Sequence, residues 1–213
     1  MTGDAHDVRE SALIVETRGH TALIRINRPA ERNSLSVSTL QELDATLSAL
    51  TLRDDISAII FTGTGDVFSA GANIRELQTL TPATARIFAE HGQQLFQKIA
   101  DARQLTIAAI NGYCIGGGLD LALACDVRIA SPDAVFAHPG ARLGIITGWG
   151  GTQRLPRLIG TARALEMFMT ARHVMSAEAH TIGLVNRVSD DVVECALEAA
   201  RRRDSLNVTH RFG

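Results

Sequence analysis

Whatever chemistry this sequence holds rests on two glycine-rich junctions and two isolated titratable side chains. The first junction, Phe68-Ser69-Ala70-Gly71-Ala72-Asn73, ends the loop Thr62–Gly71 that follows an apolar run, Ile56–Phe61. The second, Gly116-Gly117-Gly118, follows Leu105–Ile110 within Ala109–Asp126, AINGYCIGGGLDLALACD. Consecutive glycines lose the most backbone entropy on folding, so they mark a tight turn or a place where something approaches the main chain. Neither junction has the GxGxxG spacing of a dinucleotide fingerprint or the GxxxxGK[ST] of a phosphate loop. One backbone N–H from each, converging, would form an oxyanion hole, which acts most strongly on a charge that develops in the transition state. Two tight turns beside a sheet are the plainer alternative.

Asp120 stands in the first turn of the helix that the second junction opens, with no other polar side chain from Leu119 to Cys125. An acid there interacts favourably with the helix dipole. Desolvation would raise its pKa and the helix end would lower it, a contest the sequence leaves open. His138, in the polar segment His138-Pro139-Gly140-Ala141-Arg142, has no Ser or Cys partner in a recognisable nucleophile motif. A lone histidine of this kind is more often structural, so it enters as a secondary candidate. The segment continues through Gly144, Gly148, Gly150 and Gly151 and reads as a mobile loop.

The elements that must position these groups follow from hydrophobic period. Two strands within 12–27 are joined by Gly19-His20. Val37, Leu40, Leu43, Leu47 and Leu50 recur at helical spacing behind a capping Ser36. Further strands are expected at 56–61, 105–110, 127–130, 134–137 and 185–188. Helices are expected from Pro82, from Gly117, from Gly151, over 162–169 and over 191–203, with Ser176-Ala177-Glu178 resembling a helix cap. Strands alternating with helices imply a mixed α/β fold, and their apolar character suits burial on both faces. Periodicity alone leaves open a doubly wound sheet or a spiral of β-β-α units.

Composition removes other classes. The chain has 213 residues, is 46% hydrophobic and carries a formal charge of -2, which fits one domain with a sizeable core and gives no general attraction to nucleic acid. Cys114, Cys125 and Cys195 have neither paired nor metal-ligand spacing, and the histidines and acids have none, so no metal is expected. The start, MTGDAHDVRE, is too polar for a signal peptide, and no apolar run reaches the ~20 residues of a membrane span. A cytoplasmic protein is expected. Arg201-Arg202-Arg203 suits a solvated helix end.

The segments INRPAERNSLS (Ile26–Ser36), FSAGANIRELQ (Phe68–Gln78), AAINGYCIGGGLDLALACDVRIAS (Ala108–Ser131), GWGGTQRLPRLIG (Gly148–Gly160) and AHTIGLVNRV (Ala179–Val188), with their spacing, resemble the enoyl-CoA hydratase/isomerase (crotonase) family over residues 12 to 203. The resemblance implies a crotonase-like spiral of β-β-α units, acyl-CoA thioester substrates, and assembly as homotrimers or dimers of trimers. Coenzyme A would enter as part of the substrate, with no tightly bound cofactor. By position the oxyanion donors fall on Ala72 and Gly117. The coenzyme A contacts fall on Ala70, Ala72, Asn73, Ile74 and Arg75, the arginine meeting phosphate.

Two departures accompany the resemblance. Hydratases of the family use two glutamates; the first position is Asp120, shorter by one methylene, and the second is Gly140. Asp120 is then the sole obvious acid/base, aided at most by His138. Isomerisation, decarboxylation or a silent acyl-CoA-binding or oligomerising role stand beside hydration. Family members also continue through further helices past the position of Arg203, so the C-terminal helical region is expected to be abbreviated. The expected organisation is a flexible N-terminus (1–11), a core (12–203) and a short polar tail (204–213).

Overall fold

The structure, a computed structural model, describes residues 11–205. Most of the expected flexible N-terminus and of the polar tail lies outside these residues. The Ser11 hydroxyl lies within hydrogen-bond reach of the Leu13 carbonyl and of the Glu42 carboxylate.

The chain opens with strands β1 (Leu13–Arg18) and β2 (Thr21–Ile26), antiparallel across the Gly19-His20 turn. It then winds in repeated strand-strand-helix turns. The first is β2, β3 (Ser34–Leu35) and helix α1 (Val37–Thr51), whose N-terminus is capped by the Ser36 hydroxyl accepting the Thr39 N–H. The second is β4 (Ala58–Gly63), β5 (Val67–Ser69) and β6 (Gly71–Ala72), then α2 (Ile74–Leu77) and α3 (Pro82–Ala100). Thr81 and Thr84 close a reciprocal capping box at the start of α3. The third is β7 (Leu105–Ile110), β8 (Tyr113–Ile115) and α4 (Gly117–Ala124). The fourth is β9 (Val127–Ala130), β10 (Val135–Ala137), α5 (Gly151–Ile159) and α6 (Thr161–Thr170). β11 (Val174–Met175), α7 (Ser176–Thr181), β12 (Arg187–Val188) and α8 (Val192–Ser205) follow.

The second, third and fourth turns each give one strand to each of two sheets, while β3 of the first pairs with β6 in a two-stranded ribbon. The larger runs β1-β2-β4-β7-β9-β12, parallel except for the first pair; the smaller runs β11-β10-β8-β5. This is the spiral of β-β-α units that the family resemblance implies. The alternation of a pleated strand divides the apolar residues of the larger sheet between two cores. Ile59, Phe61, Ala108 and Ile110 face α1, α3 and α4, while Ala58, Ile60, Ile107 and Ala109 face Val192, Ala196 and Ala200 of α8. Burial on both sides explains why these strands are apolar throughout.

Several boundaries differ from expectation. The 56–61 strand runs over 58–63, because register against β2 pairs Thr62 and Gly63 with Arg25 and Ile26. The 185–188 strand keeps only Arg187 and Val188. Ser176 does not cap α7: it is the helix's first residue, buried, with its hydroxyl unpartnered and Met175 at the cap position. Among the described residues, no helix is long and apolar enough to cross a membrane.

Candidate active site

The two junctions meet because glycine lets them touch. Gly71, at φ +85°, has no side chain where one would lie 2.6 Å from the Gly117 nitrogen and 2.7 Å from the Ile115 carbonyl oxygen. A Cβ on Gly117 would stand 3.4 Å from the Ala72 nitrogen and 2.4 Å from the Trp149 ring. Ser69 braces the first junction, donating to the Asn33 carbonyl (2.8 Å) and accepting the Gly71 N–H (3.1 Å). Gly117 is the first residue of α4, where an N–H has no acceptor within the helix and the dipole is positive.

Ala72 and Gly117 both line a cavity of about 390 Å³, within the range of small-molecule sites, roughly 300–1,000 Å³. Its other walls are mostly apolar, from Leu77 and Phe88 on α2 and α3 to Ile145, Ile146 and Trp149 on the loop before α5. Trp149 is buried against Phe88 (ring centroids 5.1 Å apart) and Phe96 (5.6 Å). The loop is tied to its surroundings by Gln93 Nε2 donating to the Gly148 carbonyl (2.7 Å) and Arg154 donating to the Trp149 carbonyl (3.2 Å). The segment expected to be a free loop is thus a wall of the cavity, and its first part, Pro139–Leu143, is a short 3-10 helix.

Asp120 is fully buried and does not line that cavity. Its carboxyl lies against the start of α5, where a Cβ on Gly151 would fall 2.1 Å from Oδ1. The Thr147 hydroxyl donates to Oδ2. Burial wins the contest over its ionisation and pushes the pKa up to about 7, against the opposing pull of Thr147, the Trp149 N–H and Arg154. His138 does line the cavity and is 3% exposed. Burial pushes its pKa down to about 4, so it is neutral at pH 7. Its Nε2 faces Asp120 Oδ1 at 3.4 Å, and neither atom has a hydrogen-bond partner among the described residues.

Position 140 is closed. A Cβ on Gly140 would lie 2.5 Å from the Ile145 carbonyl oxygen, and the Ile145 N–H donates back to the Gly140 carbonyl (3.0 Å). The wall opposite the acid is main chain and aliphatic side chain.

The profile of the enoyl-CoA hydratase/isomerase family matches residues 16–208. The chain belongs to this family. It is 38% identical over 193 residues to a short-chain-enoyl-CoA hydratase of Clostridium acetobutylicum, covering 89% of this chain and 74% of the relative. It is 42% identical over 177 residues to a crotonyl-CoA hydratase of Syntrophomonas wolfei, covering 83% and 68%. The solved enoyl-CoA hydratase of Bacillus anthracis superposes with a TM-score of 0.87 at 37% identity, covering 90% of this chain and 76% of that one. DspI of Pseudomonas aeruginosa superposes at 0.86 and 40% identity, covering 93% and 82%.

Of the expected site residues, this enoyl-CoA hydratase/isomerase family member gathers Ala70, Ala72, Ile74, Gly117 and His138 around the cavity. Besides Asp120, two lie outside its lining. The Asn73 side chain caps α2 by accepting the Arg75 N–H (3.0 Å), and Arg75 is exposed outside the cavity lining. Sequence reading missed Thr147, Ile145 and Trp149. Only the density of glycines around them gave a signal, since tight packing of a loop on a glycine-lined junction leaves no residue-type motif.

Proposed function

We propose that this chain is an enzyme that binds an acyl-CoA thioester with its carbonyl oxygen between the N–H groups of Ala72 and Gly117 and moves a proton on the resulting enolate. The observation that carries this reading is the contact of the two junctions, which sets both residues side by side on an apolar cavity. Fixed donors aimed at a developing oxyanion, in a site shielded from water, supply the largest part of such catalysis. The acyl chain lies along the aliphatic wall, and Asp120 with His138 holds the mobile proton beneath it.

Proton transfer, as in double-bond isomerisation or in protonation after decarboxylation, fits this site better than hydration. The relatives bear the names of hydratases, yet adding water needs one group to activate the water and one to handle the α-proton. Here position 140 has no side chain and Ile145 fills the space beside it. Asp120, held up near 7, exchanges a proton readily at neutral pH, as an acid–base group should.

Titration calorimetry with a non-reactive acyl-CoA, and hydrogen exchange at the α-carbon of a saturated acyl-CoA in deuterated water, test the reading. Binding, with exchange that falls at least tenfold in Asp120→Asn, is expected. No binding at millimolar ligand overturns it.

A further inference from the structure

Asp120 poses a geometric problem: the acid expected to do the chemistry has no surface in the cavity. Its Oδ1 is packed against Gly151 and faces His138. Its Oδ2 meets the hydroxyl of Thr147, and Thr147 is half-buried and lines the cavity. The Thr147 methyl packs toward Gly151, where a Cβ would stand 2.8 Å from it and 2.1 Å from Asp120 Oδ1. One residue thus touches the buried acid through its hydroxyl and borders the space where a ligand fits.

We propose that Thr147 is the proton-relaying residue of this site, its hydroxyl carrying protons between Asp120 and a carbon of the bound acyl group. This rests on the reading of the cavity as an acyl-CoA site. In the protonating direction, the Oδ2–H bond of Asp120 breaks as an Oγ1–H bond forms on Thr147. The Oγ1–H bond that Thr147 already held breaks as its proton is taken by the enolate carbon. The enolate's electron pair becomes the new C–H bond, and the negative charge passes from the thioester oxygen to the Asp120 carboxylate. Proton removal is the reverse, so the hydroxyl ends each event unchanged. The raised pKa of Asp120 keeps both protonation states populated near neutrality, as a two-way relay requires. His138 faces the other carboxyl oxygen, at 3.4 Å.

Two variants with two readouts decide the matter. Thr147→Val keeps the shape and removes the hydroxyl, and Thr147→Ser keeps the hydroxyl. Calorimetry reports binding of a non-reactive acyl-CoA, and mass spectrometry follows deuterium entering the α-carbon of a saturated acyl-CoA. The expected result is affinity within about threefold of the parent for both, exchange lowered at least tenfold in Thr147→Val, and exchange within about threefold of the parent in Thr147→Ser. Exchange at the parental rate in Thr147→Val overturns the relay, as does a loss in Thr147→Ser equal to that in Thr147→Val. A parent protein that binds no acyl-CoA overturns the functional reading itself, a result distinct from a parent that binds and exchanges through a Thr147→Val site.

Discussion

Asp120 Oδ1 and His138 Nε2 face each other at 3.4 Å with almost no exposure to solvent, and burial moves their pKa values in opposite directions, to about 7 and about 4. Between about pH 4 and 7 the contact joins a protonated carboxyl to a neutral imidazole. It is a pair of suppressed charges.

That pairing predicts opposed pH dependences of stability. Folded Asp120 keeps a proton that the unfolded chain has released, from pH 3.8 up to about 7. Its contribution is complete below 3.8 and is lost as pH rises through 7, on the order of 4 kcal/mol in total. Unfolded His138 takes a proton that the folded state refuses, from pH 6.5 down to about 4. Its contribution is complete above 6.5 and is lost as pH falls toward 4, on the order of 3 kcal/mol. The two largely cancel in the parent protein. Urea unfolding between about pH 4.5 and 6.5, where the two slopes oppose, should give a stability that rises with pH in Asp120→Asn and falls with pH in His138→Gln. Parallel profiles for the parent and both variants would contradict the burial assignments.

The blocked position 140 predicts that an acid cannot simply be restored there. In Gly140→Glu the first side-chain carbon meets the Ile145 carbonyl oxygen at 2.5 Å, a main-chain group that cannot turn away. Overpacking of this kind costs about 1–3 kcal/mol. The variant should melt at a lower temperature and gain no hydration of a conjugated enoyl-CoA, followed by loss of ultraviolet absorbance. A gain of hydratase activity would show that the Gly140–Ile145 wall yields and that its closure does not dictate the reaction.

Much of this fold was legible in the sequence, and the reason is physical. The strand at 105–110 and the helix starting at Gly117 fall where expected, because an apolar run ending in glycine has few other solutions. Ser36 caps its helix as its type and place imply. The two-residue strands β3, β6 and β11 left no signal, since a pairing that short has no period of its own. The site divides similarly. The two junctions offered convergence as one of two readings, the family resemblance put it on Ala72 and Gly117, and the close approach of the junctions follows from Gly71. The isolation of Asp120 from the cavity was not readable, because it depends on Thr147 and Gly151 closing over it from a distant stretch of chain.

Trp149 is the chain's single tryptophan, so its fluorescence reports the cavity wall directly. A Cβ at Gly92 would fall 2.3 Å from two atoms of its indole ring. Gly92→Ala should displace the ring, shift its emission to the red and weaken acyl-CoA binding, at a stability cost of about 1–3 kcal/mol. An unchanged spectrum would show that α3 gives way in place of the indole.

Gly71 offers the sharpest test of the oxyanion geometry, because Gly65 in the same loop supplies its control. Both hold positive φ, +85° and +74°, so alanine at either carries a left-handed penalty of about 1–2 kcal/mol. Only Gly71 has neighbours in the way: the Gly117 nitrogen at 2.6 Å and the Ile115 carbonyl at 2.7 Å, whereas nothing lies within 4 Å of a Cβ at 65. Gly65→Ala should therefore lose stability and keep the parental affinity for a non-reactive acyl-CoA and the parental α-proton exchange. Gly71→Ala should lose at least as much stability, and its exchange should fall at least tenfold as the two junctions are forced apart. Removing a single oxyanion donor typically costs a factor of about 10²–10³, so a larger loss is consistent with both N–H groups moving. If the two variants exchange equally well once corrected for the folded fraction, the approach of Ala72 to Gly117 is a packing feature and the carbonyl is held elsewhere.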